Sequence, residues 1–194
     1  MCDIFLHEDA VLAISVHPRQ PQIFATACES GQVALYDLRL SNTEPIVLAG
    51  RQTAGGGGGG GAFHSCAFNP AEPNLIATGH ETDGLALIDT RMRTTVQRYR
   101  SAEASTATAS NASSSSSSYK QNVMSVCFDR RGERLAAVRF KQRPAVYRVS
   151  EERPECLLDH EHYSNCCTLK SGCFAGDQDQ YFCTGTYIYI TISS

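Results

Sequence analysis

Residues 23–39 read IFATACESGQVALYDLR, which is two short apolar runs separated by a polar turn and closed by Asp-x-Arg. Residues 75–91 read LIATGHETDGLALIDTR and align with the first segment without a gap. Upstream of both segments, His17-Pro18 falls opposite Asn69-Pro70 at the same offset. The chain therefore contains an internal repeat. Its identical positions are Ala25 and Ala77, Thr26 and Thr78, Glu29 and Glu81, Ala34 and Ala86, Leu35 and Leu87, Asp37 and Asp89, and Arg39 and Arg91.

A long repeat built from short apolar runs and turns predicts an all-β fold, namely a partial β-propeller with three blades and part of a fourth. Each blade is a small antiparallel sheet that must stack on its neighbours to bury its faces. The predicted strands have ordinary lengths of four to six residues where the pattern is clear. They lie at 11–16, 23–27, 33–36 and 46–48 in the first unit, at 65–68 and 96–99 on either side of the second repeat segment, at 123–128, 135–138 and 145–149 in the third unit, and at 172–174 and 181–184 in the fourth.

The units divide the whole chain, and too few are present to close a ring, so we expect the chain to be a piece of something longer. The tail at 186–192 is β-prone and uncharged, which is the profile of an aggregation-prone segment if it is exposed. The predicted division is the end of a preceding blade at 1–6, unit 1 at 7–50, a Gly-rich insert at 51–62, unit 2 at 63–100, a Ser-rich insert at 101–122, a degenerate unit 3 at 123–160 and an incomplete unit 4 at 161–194.

Two low-complexity segments interrupt the repeat. Residues 55–61 are seven consecutive glycines, and residues 101–118 consist mainly of Ala, Thr and Ser. Both compositions are too costly in entropy to order, so we expect mobile inserts. Each insert falls between the fourth strand of one blade and the first strand of the next. In a four-stranded meander this places the inserts at the edge opposite the one that carries Asp-x-Arg.

Composition excludes several classes of function. The formal net charge is -3 and the sequence pI is about 6.1, so no overall attraction to nucleic acid exists. Residues 120–153 are locally basic, but their charges fall in turns on opposite edges and are best interpreted as solvated. No signal peptide, long apolar run or lipidation motif is present. We expect a soluble protein of the cytoplasm, the nucleus or both, with no membrane or nucleic-acid partner.

Candidate catalytic and metal-binding residues are few. The nine cysteines include no Cys-x-x-Cys pair, and Cys166, Cys167 and Cys173 lack the spacing of a zinc finger. His160 and His162 form a possible ligand pair, but the sequence offers no third ligand nearby. No Gly-x-Ser-x-Gly elbow, phosphate-binding loop or His-Glu-x-x-His motif occurs. We therefore expect reduced thiols, no cofactor, no metal and no enzymatic activity.

The closing motifs of the first two units, Tyr36-Asp37-x-Arg39 and Ile88-Asp89-x-Arg91, resemble those of WD-repeat proteins, in which an aromatic-Asp pair ends the third strand of a blade. The added arginine resembles the box of WD-repeat substrate receptors of cullin-4 ubiquitin ligases. Tryptophan is absent, and Ile88 departs from the aromatic position, which predicts a weaker second box. Other segments with the order of this family are His7-Glu8-Asp9-Ala10-Val11, Ala62-Phe63-His64-Ser65, Phe68-Asn69-Pro70, Met124-Ser125-Val126 and Cys173-Phe174-Ala175-Gly176-Asp177.

The resemblance implies a non-catalytic receptor that docks on the propeller adaptor of the ligase through Asp37, Arg39, Asp89 and Arg91 and presents an unidentified protein substrate. The residue types suit docking, because Asp and Arg two positions apart on an extended segment point the same way and the carboxylate can orient the guanidinium. Two alternatives stay open. The aspartates can be turn-closing residues beside solvated arginines, and the protein can be a generic WD-repeat scaffold in an intracellular complex unrelated to ubiquitin.

Overall fold

The computed structural model describes residues 4–7, 9–40, 44–50, 60–101, 121–159, 163–166, 171–185 and 190–193. These residues form fifteen strands in four antiparallel sheets. The predicted inserts lie largely outside the described residues, as does most of the tail at 186–192. Within the described part of the chain, no helix has the length and hydropathy needed to cross a membrane.

Each of the first three sheets is a four-stranded meander in chain order, and the fourth has three strands among the described residues. The first sheet contains β1 (Val11–Val16), β2 (Ile23–Cys28), β3 (Val33–Asp37) and β4 (Ile46–Ala49); the second, β5 (Phe63–Phe68), β6 (Leu75–His80), β7 (Gly84–Asp89) and β8 (Thr94–Arg98); the third, β9 (Val123–Phe128), β10 (Arg134–Arg139), β11 (Ala145–Arg148) and β12 (Pro154–Leu157); and the fourth, β13 (Gly172–Ala175), β14 (Tyr181–Gly185) and β15 (Ile190–Ser193).

Every strand predicted from the sequence is present, most of them one or two residues longer or shorter than expected. Two strands were not foreseen as such. β12 pairs with β11 at the outer edge of the third sheet, and β15 pairs with β14 from within the β-prone tail. The prediction of a partial propeller with three blades and an incomplete fourth is confirmed.

The antiparallel order gives the stacked sheets two edges with different connections. We call the edge that carries the turns after the first and third strands of each sheet the Asp-x-Arg edge. We call the other, with the turns after the second strands and the connections between sheets, the insert edge. Gly61, predicted to be part of a mobile insert, is tied to β6 at the insert edge, because its carbonyl oxygen lies 3.1 Å from His80 Nε2.

Repeated turn chemistry explains why the repeated sequence gives repeated structure. After β1, His17 Nδ1 accepts hydrogen bonds from the backbone N–H groups two and three residues later, at 3.2 and 3.0 Å. After β5, Asn69 Oδ1 accepts from the N–H groups at the same offsets, at 2.9 and 3.0 Å. After β9, the Asp129 carboxylate accepts from N–H groups four and five residues later. Each turn is thus closed by the side chain of the residue that directly follows the first strand.

Apolar side chains between successive sheets hold the stack together. Ile76 is fully buried between the first and second sheets, and burying a side chain of this size contributes roughly 2 to 3 kcal/mol. The core between the first and second sheets contains Ala25, Ala27, Val33, Phe68, Ile76 and Ile88. The core between the second and third sheets contains Leu85, Leu87, Val126, Leu135 and Tyr147. The core between the third and fourth sheets contains Ala136, Val138, Val146 and Phe182.

Hydrogen bonds also tie the turns of neighbouring sheets at the Asp-x-Arg edge. Arg19 donates to the Ala71 carbonyl oxygen at 2.9 Å and links the first sheet to the second. The Asn69 side-chain amide donates to the Gly132 carbonyl oxygen at 2.9 Å and links the second sheet to the third. Gly132 has a positive φ of 68°, and a side chain there would collide with Asn69. These links fix the relative positions of the first turns of successive sheets, which lie at the same edge as the candidate site.

The outer face of the first sheet is apolar and exposed. Ile14 and Val16 project from β1 away from the second sheet and are 66% and 57% exposed. On the same face Tyr36 stacks on Phe24 with ring centroids 5.0 Å apart, and Phe5 packs edge-on against both rings. A row of exposed aliphatic side chains on a sheet face has the chemistry of a surface that normally receives another sheet.

Candidate docking site

The first Asp-x-Arg box is a bidentate ion pair at the end of β3. Asp37 Oδ1 accepts from Arg39 Nε at 2.9 Å, and Asp37 Oδ2 accepts from Arg39 Nη2 at 2.6 Å. The same carboxylate accepts from the Arg39 backbone N–H at 3.0 Å. The Arg39 side chain is 56% exposed while that of Asp37 is 20% exposed. The aspartate therefore closes the turn and also aims the guanidinium outward.

The second box repeats this geometry at the end of β7. Asp89 Oδ2 accepts from Arg91 Nη2 at 2.9 Å, and Asp89 Oδ1 accepts from Arg91 Nε at 3.3 Å. The Arg91 and Met92 backbone N–H groups donate to the same Oδ1 at 2.8 and 3.2 Å. The Arg91 side chain is 68% exposed and that of Asp89 only 10%. The two boxes thus present the same group from neighbouring sheets at one edge.

Both carboxylates are held in the ionised form. The side-chain hydrogen bond from Arg39 is the main reason that the pKa of Asp37 falls from 3.8 to about 2, and the Arg39 backbone N–H adds to it. The hydrogen bond from Arg91 does the same for Asp89, whose pKa also falls to about 2 despite an opposing contribution from burial. Both pairs therefore stay charged and oriented to a lower pH than an ordinary aspartate would allow.

The side chain of Ile88 does not contribute to the second box, and the weaker second box expected from the sequence stays a prediction. Its side chain is 1% exposed and lies in the core between the first and second sheets. The equivalent Tyr36 side chain faces the outer side of the first sheet. Ile88 packs into the intersheet core, so its identity affects the packing of the sheets rather than the orientation of Arg91.

Exposed apolar side chains flank both arginines, a feature that the sequence analysis missed. Leu38 and Leu40 stand on either side of Arg39 and are 45% and 55% exposed. Met92 follows Arg91 and is 69% exposed. The strands end at Asp37 and Asp89, so these apolar residues lie in the turns and face solvent.

The third sheet has no box at the corresponding turn. Arg148 pairs instead with Glu155 on β12, with Arg148 Nη2 2.6 Å from Glu155 Oε1. A different pair, Asp129 and Arg134, lies beside the first turn of this sheet at 3.1 Å. Arg134 is only 32% exposed, donates to the Asp179 carbonyl oxygen of the fourth sheet at 2.8 Å and lies over the Phe174 ring. This arginine serves contact between sheets and is not presented outward.

The described part of the chain offers no cluster that suits a metal ion. Within it, no three His, Cys, Asp or Glu side chains come together with metal-binding geometry. His160, His162 and Cys167 lie outside the described residues. Cys66 is buried, and burial raises the pKa of its thiol to about 12, so it behaves as a small apolar side chain.

Comparison with known proteins supports the resemblance deduced from the two boxes. No family model matches the chain. The chain resembles DDB1- and CUL4-associated factor 5 of Homo sapiens and of Mus musculus, with 38% identity over 186 residues to each. The matched segment is 95% of this chain but 17% of each relative, so the chain spans about a sixth of the length of these curated proteins.

Solved structures show the same fold at low sequence identity. A chain of the COPII outer coat vertex matches with a TM-score of 0.69 and 13% identity, over 93% of this chain and 45% of that one. The computationally designed Ika4 protein matches with a TM-score of 0.64 and 10% identity, over 98% of this chain and 94% of that one. At such identities these likenesses bear on the fold alone. The chain is a partial WD-repeat β-propeller.

Proposed function

We propose that this chain, which resembles DDB1- and CUL4-associated factor 5 over nearly all of its length, belongs to a non-catalytic substrate receptor of a cullin-4 ubiquitin ligase. The relative's name states association with DDB1 and CUL4, and we take DDB1 to be the adaptor. In this proposal Asp37, Arg39, Asp89 and Arg91 dock on the adaptor. Ubiquitin transfer takes place on other subunits.

One observation carries the proposal, namely the two identically built Asp–Arg pairs at one edge of neighbouring sheets. Arginine is favoured at protein interfaces because its planar fork binds carboxylates or carbonyl oxygens and is weakly hydrated. Each aspartate removes part of the entropy cost of docking, since the arginine is already oriented before the partner arrives. Leu38 and Met92 supply apolar surface beside the charges, and both Met and Arg are enriched at protein interfaces.

The proposal includes the remaining partners and the location. The receptor works in the cytoplasm, the nucleus or both and binds an unidentified protein substrate. It needs no membrane and no nucleic acid. The formal net charge of -3 supports the last point, because phosphate-binding proteins usually carry a basic surface.

Affinity purification of the tagged full-length protein from cells, followed by mass spectrometry, tests this function. We expect DDB1 and CUL4 among the recovered proteins and expect both to be lost when Arg39 and Arg91 are replaced by Glu. The recovery of a stable complex without either protein would favour the generic WD-repeat scaffold instead.

A further inference from the structure

Each Asp-x-Arg box is neutral as a whole, although it contains two charges. Asp37 accepts from Arg39 Nε at 2.9 Å and from Arg39 Nη2 at 2.6 Å. Asp89 binds the same two nitrogen atoms of Arg91, at 3.3 and 2.9 Å. Both carboxylates are ionised at neutral pH. The positive charge of each arginine is therefore balanced inside its own box.

The arginines keep hydrogen-bond donors that their aspartates do not use. A guanidinium carries N–H groups on all of its nitrogen atoms. The aspartate takes Nε and one Nη2 hydrogen, which leaves the Nη1 hydrogens and the second Nη2 hydrogen of each arginine. Among the described residues, none accepts a hydrogen bond from Nη1 of Arg39 or Arg91. The two side chains are 56% and 68% exposed, so a partner can reach these donors.

The balanced charge decides which acceptor suits these donors. Docking removes the boxes from water, and a carboxylate supplied by the partner would leave two negative charges around one positive charge. An uncompensated charge in a desolvated contact is costly. A backbone carbonyl oxygen accepts from the same N–H groups and adds no charge. The closed pairs therefore favour carbonyl oxygens over carboxylates.

Apolar side chains recur beside the boxes. The residue directly after the arginine is Leu40 in the first unit and Met92 in the second, and these residues are 55% and 69% exposed. Leu38, between Asp37 and Arg39, is 45% exposed. Burial of apolar area in a contact is favourable. A partner surface that is apolar and uncharged can therefore cover the boxes and their apolar neighbours together.

We propose that the docking surface fits an uncharged, apolar patch of the adaptor that receives Leu38 and Met92 and whose backbone carbonyl oxygens accept from the two arginines. The proposal rests on the proposed function, because it states the chemistry of the partner at the same site. Arg93 follows Met92, is exposed and lies outside the boxes. Its charge adds a salt-dependent attraction of its own, which a test of the boxes has to remove.

The salt dependence of binding tests the choice of acceptor. Full-length protein carrying Arg93→Gln is bound to DDB1 in biolayer interferometry from about 0.05 to 0.5 M NaCl. The affinity should change by less than about threefold, because the neutral boxes and the carbonyl oxygens present no net charge to be screened. Contacts with carboxylates of the partner would instead weaken binding roughly tenfold or more over the same range.

Polar substitution tests the apolar part of the contact. Leu38→Asn and Met92→Gln nearly keep the size of the side chains and change no charge. Together they should weaken binding to DDB1 roughly tenfold or more. Leu157→Asn is the matched control for Leu38→Asn, because Leu157 is 41% exposed and ends β12 at the insert edge, and it should leave the affinity unchanged. Thermal melting of every variant verifies that it is folded.

Three outcomes would overturn the proposed partner chemistry. The first is a tenfold loss of affinity across the salt series, and the second is equal binding by the combined Leu38 and Met92 variant and the Leu157 control. If either is found while Arg39→Glu combined with Arg91→Glu still abolishes binding, the docking proposal stands. The third is a wild-type protein that does not bind DDB1, which would overturn the docking proposal as well.

Discussion

His17 and Asn69 occupy equivalent positions in successive sheets and close their turns with the same pair of side-chain hydrogen bonds. The imidazole can accept these bonds only while Nδ1 is unprotonated, whereas the asparagine oxygen accepts them at any pH. Burial and the nearby Arg19 lower the pKa of His17 below its usual 6.5. One of two equivalent turns is therefore sensitive to pH.

The consequence for stability follows from proton linkage. A histidine with a lowered pKa binds protons more weakly in the folded state, so its contribution is complete above pH 6.5 and declines as the pH falls through the lowered value. We predict that His17→Asn reduces the loss of thermal stability between pH 7 and pH 5. Differential scanning calorimetry of both proteins checks this, and equal pH slopes would contradict it.

Asn69 should be among the most sensitive polar positions in the fold. It is 1% exposed and makes three hydrogen bonds, two within its turn and one to Gly132 in the next sheet. Asn69→Ala leaves several buried groups unpaired, which we expect to cost about 3 kcal/mol of unfolding free energy. Chemical denaturation measures this value. The control is Asn74→Ala, at an exposed position after the same turn, with an expected change within about 0.5 kcal/mol.

The pKa of Asp37 is lowered mainly by Arg39, so a titration of Asp37 reports whether the ion pair forms in solution. In wild-type protein the carboxylate should remain ionised as the pH falls to 3.5, since its pKa is about 2. In Arg39→Gln the pKa should rise toward 3.8, with the backbone N–H of residue 39 still lowering it in part. Carboxyl-carbon NMR shifts of Asp37 report both cases. A midpoint near 3.8 in wild-type protein would show that the pair does not persist in solution.

The exposed face of the first sheet predicts self-association or partial unfolding of the isolated 194-residue chain. Ile14→Lys combined with Val16→Lys should reduce self-association, because two charges would have to be buried in the contact. Sedimentation velocity compares the proteins. Met92→Lys adds a charge at the Asp-x-Arg edge and should not change the association. A wild-type chain that is a compact monomer with cooperative melting would contradict this account of the surface.

The fold could be predicted from the repeat, because equivalent residues of the two units have equivalent structural roles. Ala25 and Ala77 are both fully buried, and Asp37 and Asp89 end equivalent strands, so matching the sequences also matched the strands. β12 was missed because Pro154–Leu157 carries a proline and a charge and lies at the outer edge of its sheet. An edge strand tolerates proline and needs little apolar patterning.

The candidate docking site could be predicted only in part from the sequence. The pairing of Asp with Arg followed from their spacing, but the exposure of Leu38 and Met92 depends on where the strands end. The contact between Lys141 and Asn165 could not be predicted from the sequence, since a backbone hydrogen bond joins a turn of the third sheet to the segment at 163–166. Lys141 and Arg143 were interpreted as solvated turn charges, and both side chains are exposed in the structure.

The affinity of purified full-length protein for DDB1 tests most directly whether Arg39 and Arg91 dock on the adaptor. Charge reversal of an oriented interface arginine leaves an unpaired or like-charged group in a desolvated contact. We predict that Arg39→Glu combined with Arg91→Glu weakens binding by roughly a hundredfold in biolayer interferometry. The matched reversal of Lys141 and Arg143 at the insert edge should leave the affinity unchanged. An unaltered affinity in the folded Arg39 and Arg91 double variant would contradict the docking role of both boxes.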